Sequence, residues 1–385
     1  LMSEGVFSAL SRATCATQAA GELADQLRHA ELGFVLFFCS AEYDLPALAA
    51  ALQGQFPAVG LAGCTSAGEL TPEGYARGCI TAVGFDRRYF SIAAGLVEAV
   101  PGFSLLDAQA LVAQLVEDCR RNSLAPIKAH SFALTLFDGL SSREEVVLAA
   151  LAAALGDIPQ FGGSAGDDNH LSRTHVYYNG AFHSGAAVLL LVNTWLEFEV
   201  FSADHIQPRS EKLVVTRADR QLRRVYELNA EPAAAEYAQL IGVPVGALDH
   251  RLFAAHPLAL RINQNHYVRA IQQVHEDGSL SFYCAVENGI VLTAMRPGPL
   301  LANLQSLFEG LRQRLGPLLL TIGCDCVLRR LELESEGAAV AEVSALLRSQ
   351  QVLGFNTYGE QFNGMHINQT FTGVAIGRPR ERIAS

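Results

Sequence analysis

Residues 161–168 read FGGSAGDD, and GCTSAGEL at 63–70 carries the same Ser-Ala-Gly-acid order. Taken alone, Gly162-Gly163-Ser164-Ala165-Gly166 is a formal G-x-S-x-G, the strand-to-helix elbow that presents a nucleophilic serine in α/β hydrolases. Such an elbow needs a helix to begin directly after the serine, so that its N–H groups face a developing oxyanion. Here Gly166, Asp167, Asp168 and Asn169 start a turn instead and bring two negative charges to that place. A phrase used twice, with a third Gly-acid step in TYGEQ at 357–361, reads as architecture: a strand end whose small residues let backbones approach closely. The turns also fail as phosphate cradles. Neither ends in G-K-[ST], and Glu69, Asp167 and Asp168 repel phosphate.

Outward from these turns the chain alternates apolar runs with amphipathic ones. GFVLFFCS (33–40), SFALTLFDG (131–139) and GAAVLLLV (185–192) predict buried strands, because continuous apolar runs suit sheets covered on both faces. GELADQLRHA (21–30), LPALAAALQGQF (45–56), residues 104–121 and SSREEVVLAALAAALG (141–156) predict helices, the last capped by Ser141 or Ser142 with acids in its first turn. Beyond residue 205 the elements become shorter and more charged. HYVRAIQQV and SLSFYCAV, joined at Asp277-Gly278, predict a hairpin. A helix is expected at 299–314 and another near 336–348. The mixture predicts an α/β (mixed α+β) fold of two domains, each with a mixed sheet covered by helices. The expected division is 1–28 as an N-terminal helix and tag segment, 29–215 as one domain and 216–380 as the other.

Composition narrows the function classes. The 385 residues are half apolar and 17% charged, with a net charge of −11, which supports a large core and argues against nucleic acid, whose phosphates need a basic face. The greasiest run, 185–198, is broken by Asn193 and is too short to span a bilayer. The start of the chain shows no basic segment followed by a long apolar one, so no signal peptide is expected. Eight scattered cysteines, several in strand-like runs, fit a reducing cytoplasm better than a disulfide scaffold. Cys324 and Cys326 form a C-x-C without further zinc ligands nearby in sequence.

GCTSAGE, FGGSAGDD followed by a strand pair around YYNG, and TYGEQFNGMHINQTFTGVAIG together resemble the FIST family, a bacterial sensory module with N- and C-terminal parts, over about residues 30–380. GFVLFFCSAEYDLPALAAAL and SEKLVVTRADRQLRRVYELNAEPAAAEYAQLIG look closer to its haem-binding, nitric-oxide-sensing branch (NosP-type). The resemblance implies a non-enzymatic cytoplasmic sensor that binds haem b and nitric oxide. It also implies signalling through a separate histidine kinase or cyclic-di-GMP enzyme, since the chain shows no such segment of its own. A homodimer is expected on general grounds. Without C-x-x-C-H the haem would be non-covalent, held by one neutral imidazole in an apolar slot.

Alternation ranks the imidazoles. His205 shares a strand face with Phe201 and Ala203, and His266 with Val268 and Ala270, so both are expected beside apolar surface, His205 first. His366 shares its face with Asn368, Thr370 and Thr372, and His183 lies in a turn. Arg209, Lys212, Arg269 and Arg296 are candidate partners for the propionates. The alternative is a haem-free FIST receptor for a small polar metabolite such as an amino acid. It would use Glu69, Asp167, Asp168 and Glu360 for an ammonium group and Arg269 for a carboxylate. A third reading makes Ser164 a hydrolase nucleophile.

Overall fold

A computed structural model describes residues 5–98, 102–337 and 339–379. In chain order the first elements are β1 (Val6–Ser11), α1 (Ala16–Leu27), β2 (Leu32–Ser40), α2 (Leu45–Gln55), β3 (Gly60–Ser66), β4 (Glu69–Thr71), β5 (Gly74–Ala76), β6 (Ile80–Asp86) and β7 (Phe90–Glu98). There follow α3 (Leu105–Arg121), β8 (Ser131–Phe137), α4 (Glu144–Leu155), β9 (Gln160–Ser164), β10 (Val176–Tyr178), β11 (Ala181–His183), β12 (Ala186–Thr194) and β13 (Phe198–Ala203). The middle of the chain forms β14 (Ile206–Asp219), β15 (Arg224–Leu228), β16 (Glu231–Pro232), α5 (Ala233–Ile241), α6 (His250–Ala255), β17 (Leu258–Ile262), β18 (Asn265–Val268), β19 (Ile271–Val274), β20 (Leu280–Phe282) and β21 (Val291–Pro297). The last elements are α7 (Leu300–Leu315), β22 (Leu318–Cys326), α8 (Val327–Ser335), α9 (Ala339–Ser349), β23 (Val352–Thr357), β24 (Glu360–Phe362), β25 (Met365–Ile367) and β26 (Phe371–Gly377).

The mixed α/β class expected from the sequence is what the chain adopts, in a pattern used three times. β2–α2–β3, β8–α4–β9 and β22–α8–α9–β23 are each a parallel strand pair with a helical crossover. A long antiparallel strand flanks each pair, β6, β12 or β26, and an edge strand, β1, β7 or β13, lies beyond it. The hairpins that fill the fifth and sixth places are exchanged. β4–β5 pairs onto β23, β10–β11 onto β3 and β24–β25 onto β9, so each sheet is completed by a hairpin from another repeat. The inner faces of all three sheets meet in one core containing Phe38, Cys64, Leu136, Phe161, Val188, Ile322 and Phe355. Phe38 and Phe355 stack across it with centroids 4.7 Å apart. Helices cover the outer faces: α1 and α2 on the first sheet, α3 and α4 on the second, α7 and α9 on the third. Burial on both faces is why these strands read as unbroken apolar runs.

The three strand-end turns join the sheets. Ser66-Ala67-Gly68-Glu69, Ser164-Ala165-Gly166-Asp167 and Thr357-Tyr358-Gly359-Glu360 occupy equivalent places after β3, β9 and β23. Their backbones bond to one another: Ala67 N–H donates to Asn356, Gly166 N–H to Thr65, and Ser164 N–H to Gly359. A β-carbon on Gly166 would stand 2.7 Å from the Ala67 nitrogen, so only glycine allows this approach. FGGSAGDD thus closes a strand, and Ser164 is fully buried.

A separate sheet, β18-β17-β21-β14-β15-β20-β19, carries α5 and α6 and its own apolar core. Four expectations need correction. The segment before α1 contributes β1, fully paired to β6. The strand expected across HYVRAIQQV is two strands, because Ala270 N–H turns aside to the Asn368 side chain and only β19 joins the Asp277-Gly278 hairpin. The segment after Cys326 forms α8 before the expected helix, here α9. Helix α4 begins after Arg143 without a side-chain cap, since the guanidinium at that place has no acceptor oxygen to offer.

Candidate functional site

The four histidines fall in four different environments. His205, between β13 and β14, is buried, and both ring nitrogens are engaged. Its Nε2 lies 2.9 Å from each carboxylate oxygen of Glu332, and Arg329 donates to its Nδ1 at 3.1 Å. Arg329 in turn donates to Asp325 at 2.7 Å, which accepts the Tyr75 hydroxyl. The ring therefore meets a buried ionic chain where alternation led us to expect apolar surface. His183 ends the edge hairpin, with Nε2 3.4 Å from the Tyr178 carbonyl. His366 is buried, its Nδ1 3.1 Å from the Gln361 amide and its Nε2 3.3 Å from the Tyr283 carbonyl. Burial lowers its basicity, against the nearby carboxylates of Glu144 and Glu145.

His266 differs. It is half-buried on β18 and lines a cleft of about 490 Å³ between that strand, the β24–β25 hairpin and the start of β14. That volume lies in the range of small-ligand sites. The walls combine Ile206, Val268, Phe362 and Ile367 with the thioether of Met365, and Asn265, Asn363 and Asn368 add amide groups. Alternation along β25 sends Met365 and Ile367 into the cleft and His366 to the opposite side. A larger cleft of about 580 Å³ beside Phe34, Phe56, Tyr177 and Tyr178 contains none of the nominated residues.

The candidate cations stand apart from the cleft. Arg209 is paired to Glu211 at 2.5 Å, and Lys212 and Arg296 are exposed on β14 and β21. Arg269 donates to the His366 carbonyl at 3.1 Å, and its buried Nε has no partner. The acids of the alternative reading hold the turns. Asp167 accepts the N–H groups of Leu171, Ser172 and Arg173 together with the Tyr358 hydroxyl. Glu360 accepts from Thr357 and twice from Thr370, and burial raises its carboxyl to about 8. Burial raises Glu69 likewise to about 8, against a hydrogen bond from Ser66. Asp168 is partly exposed, 3.7 Å from Arg77.

A second constellation, which sequence reading missed, surrounds the inner face of His366. Arg223 is buried and donates to Glu144 at 2.6 Å and Glu145 at 2.5 Å. Glu145 also accepts the Ala285 N–H at 2.7 Å, and Cys284 lies beside it. No spacing in the sequence signals this meeting of residues 144–145, 223, 284 and 366.

Comparison with protein families matches residues 33–231 to the FIST N domain and residues 233–363 to the FIST C domain. The chain belongs to the FIST family. FIST proteins are sensory modules, which makes this chain a signalling sensor. Its N- and C-terminal regions interlock, since β24 of the FIST C region pairs with β9 of the FIST N region. The cleft around His266 draws on the β18 segment, Phe362 and Asn363 of the FIST C region, on Ser202, Asp204 and Ile206 of the FIST N region, and on Met365, Ile367, Asn368 and Thr370 just beyond the matched residues. A comparison with curated protein sequences found no significant match. Among solved structures, a cyanuric acid hydrolase from A. caulinodans aligns at 11% identity and a TM-score of 0.28, covering 49% of this chain and 71% of that one.

Proposed function

We propose that this FIST protein is a haem-based nitric oxide sensor in which His266 supplies the imidazole. One observation carries the reading. Of the four candidate histidines, His266 is the one that lines an open cleft while its ring takes part in none of the side-chain hydrogen bonds found among the described residues. The donor set fits in part. A free imidazole, a soft thioether at Met365 and four apolar side chains suit a macrocycle, while its carboxylates would meet Asn265, Asn363 and Asn368 in place of the arginines expected from the sequence.

Bound haem would supply a ferrous iron able to take nitric oxide. The protein's part is to orient and to report. β18 is the outermost strand of its sheet, paired to β17 on one side and bridged to Asn368 through Val268, so freeing or holding His266 acts on a segment at the sheet's edge. A separate histidine kinase or cyclic-di-GMP enzyme would read the change as a shift between two populations. No helix among the described residues is long and apolar enough to cross a membrane, which accords with a cytoplasmic location. Reconstitution with hemin tests the reading. The wild type and His205→Ala should develop a Soret band sensitive to nitric oxide, and His266→Ala should not. A band unchanged in His266→Ala, or none in the wild type, overturns it.

The amide-rich lining also favours a second reading, a receptor for a polar metabolite seated in this same cleft. The four acids first considered for it are held in the turns, so Asp204 and the asparagines would replace them. A metabolite that raises the melting temperature of the wild type but not of Asn265→Ala would support it.

A further inference from the structure

The polar cluster behind β25 is not used by the proposed sensor. Glu145, Cys284 and His366 each offer one ligand atom, and the three atoms lie within 4.8 Å of one another. They come from three distant segments: the first turn of α4, the chain after β20, and β25. Oxygen, sulfur and nitrogen brought together in a buried place form the donor set favoured by zinc-class ions. We propose that Glu145, Cys284 and His366 bind a thiophilic divalent metal ion, with Glu144 positioned to supply a fourth ligand.

The surroundings meet the requirements of such a site. The Glu145 Oε1 that accepts the Ala285 N–H keeps a second lone pair for a metal. Arg223 holds the other Glu145 oxygen and fixes the carboxylate, as outer partners of ligands do. His366 Nε2 has a long contact to the Tyr283 carbonyl, 3.3 Å, and Glu144 Oε1 stands 3.8 Å away. With the metal on Nε2, Nδ1–H donates to Gln361, whose amide turns to present its oxygen; its orientation is set only by the hydrogen-bond network. The Cys284 thiol, 3.0 Å from the Asn368 amide oxygen, releases its proton to solvent as the sulfur–metal bond forms.

Charge is balanced to within one unit either way. The two carboxylates and the thiolate carry three negative charges, and Arg223 and nearby Arg269 offset two, leaving one to be met by a dication. The ion would fasten the FIST N region at Glu144 and Glu145 to Cys284 of the FIST C region and to His366 just beyond it.

Because Cys284 and His366 are buried and only Glu145 is partly exposed, loading during folding gives the metal free access, and the test follows that route. Full-length protein is unfolded in urea with chelator, refolded with zinc or cobalt(II), desalted and assayed for metal. The expected result is one metal per chain, a sulfur-to-cobalt charge-transfer band, and a higher melting temperature with zinc than without. Band and metal should both be lost in Cys284→Ser. Should that variant fail to refold, His366→Gln should weaken the band. Wild-type protein that refolds without retaining metal overturns the proposal. So does a cobalt–thiolate band that persists at full strength in Cys284→Ser or His366→Gln.

Discussion

Replacing Glu360 by Gln should make the protein more stable at neutral pH and flatten its dependence on pH. Glu360 is fully buried at the start of β24, and burial raises its carboxyl from 4.5 to about 8. In the unfolded chain it ionises near 4.5; in the folded chain it keeps its proton to about 8. Between those values the folded state holds the extra proton, so stability is greatest below 4.5 and falls as pH rises toward 8. At pH 7 the loss is ~3 kcal/mol, from about 2.5 units at 1.36 kcal/mol each. Glutamine should keep the contacts: its oxygen takes the two Thr370 bonds and its amide donates to Thr357, 2.5 Å from the present carboxyl oxygen. Urea denaturation of both proteins from pH 4 to 9 measures the effect. The variant should gain on the wild type steadily above pH 4.5, and the curves should meet below it. Parallel curves, or a less stable variant at pH 7, would refute the reasoning. Glu69, also raised to about 8, should account for slope that remains.

Other expectations follow from the same contacts. Arg223→Met should cost ~3–5 kcal/mol in denaturant titrations, because it leaves buried Glu144, and half-buried Glu145 beside it, without their cation. His205→Ala should lower stability by ~3 kcal/mol while leaving any Soret band in place, since Glu332 and Arg329 lose their shared partner. Gly166→Ala should destabilise by ~1–3 kcal/mol by forcing apart two turns in contact, read as a lower melting temperature. A serine-reactive phosphonate should leave the folded protein unlabelled, since Ser164 is inaccessible; stoichiometric labelling by mass spectrometry would restore the hydrolase reading.

Much of the fold was legible because its cause is local. The apolar runs at β2, β8 and β12 announce strands covered on both faces, and the repeated Ser-Ala-Gly-acid phrase announces a turn used more than once. What stayed hidden is long-range. Nothing near Glu69 shows that β4 will pair with β23, because a three-residue strand carries no record of its partner. The site was legible in half. Alternation along MHINQT separates His366 from Met365 and Ile367, and His266 was named. The apolar face assigned to His205 was misjudged because Glu332 and Arg329, a helical turn apart on α8, arrive from more than a hundred residues away.

The exchanged hairpins constrain how the chain reaches this state. During synthesis the first parallel pair emerges early, yet β4–β5 waits for β23, and β9 waits for β24 nearly two hundred residues later. Until then these strands expose open edges, which are prone to pair with other chains. Non-local pairing of this kind slows folding, so a chain halted before β23 should aggregate where the full-length protein does not.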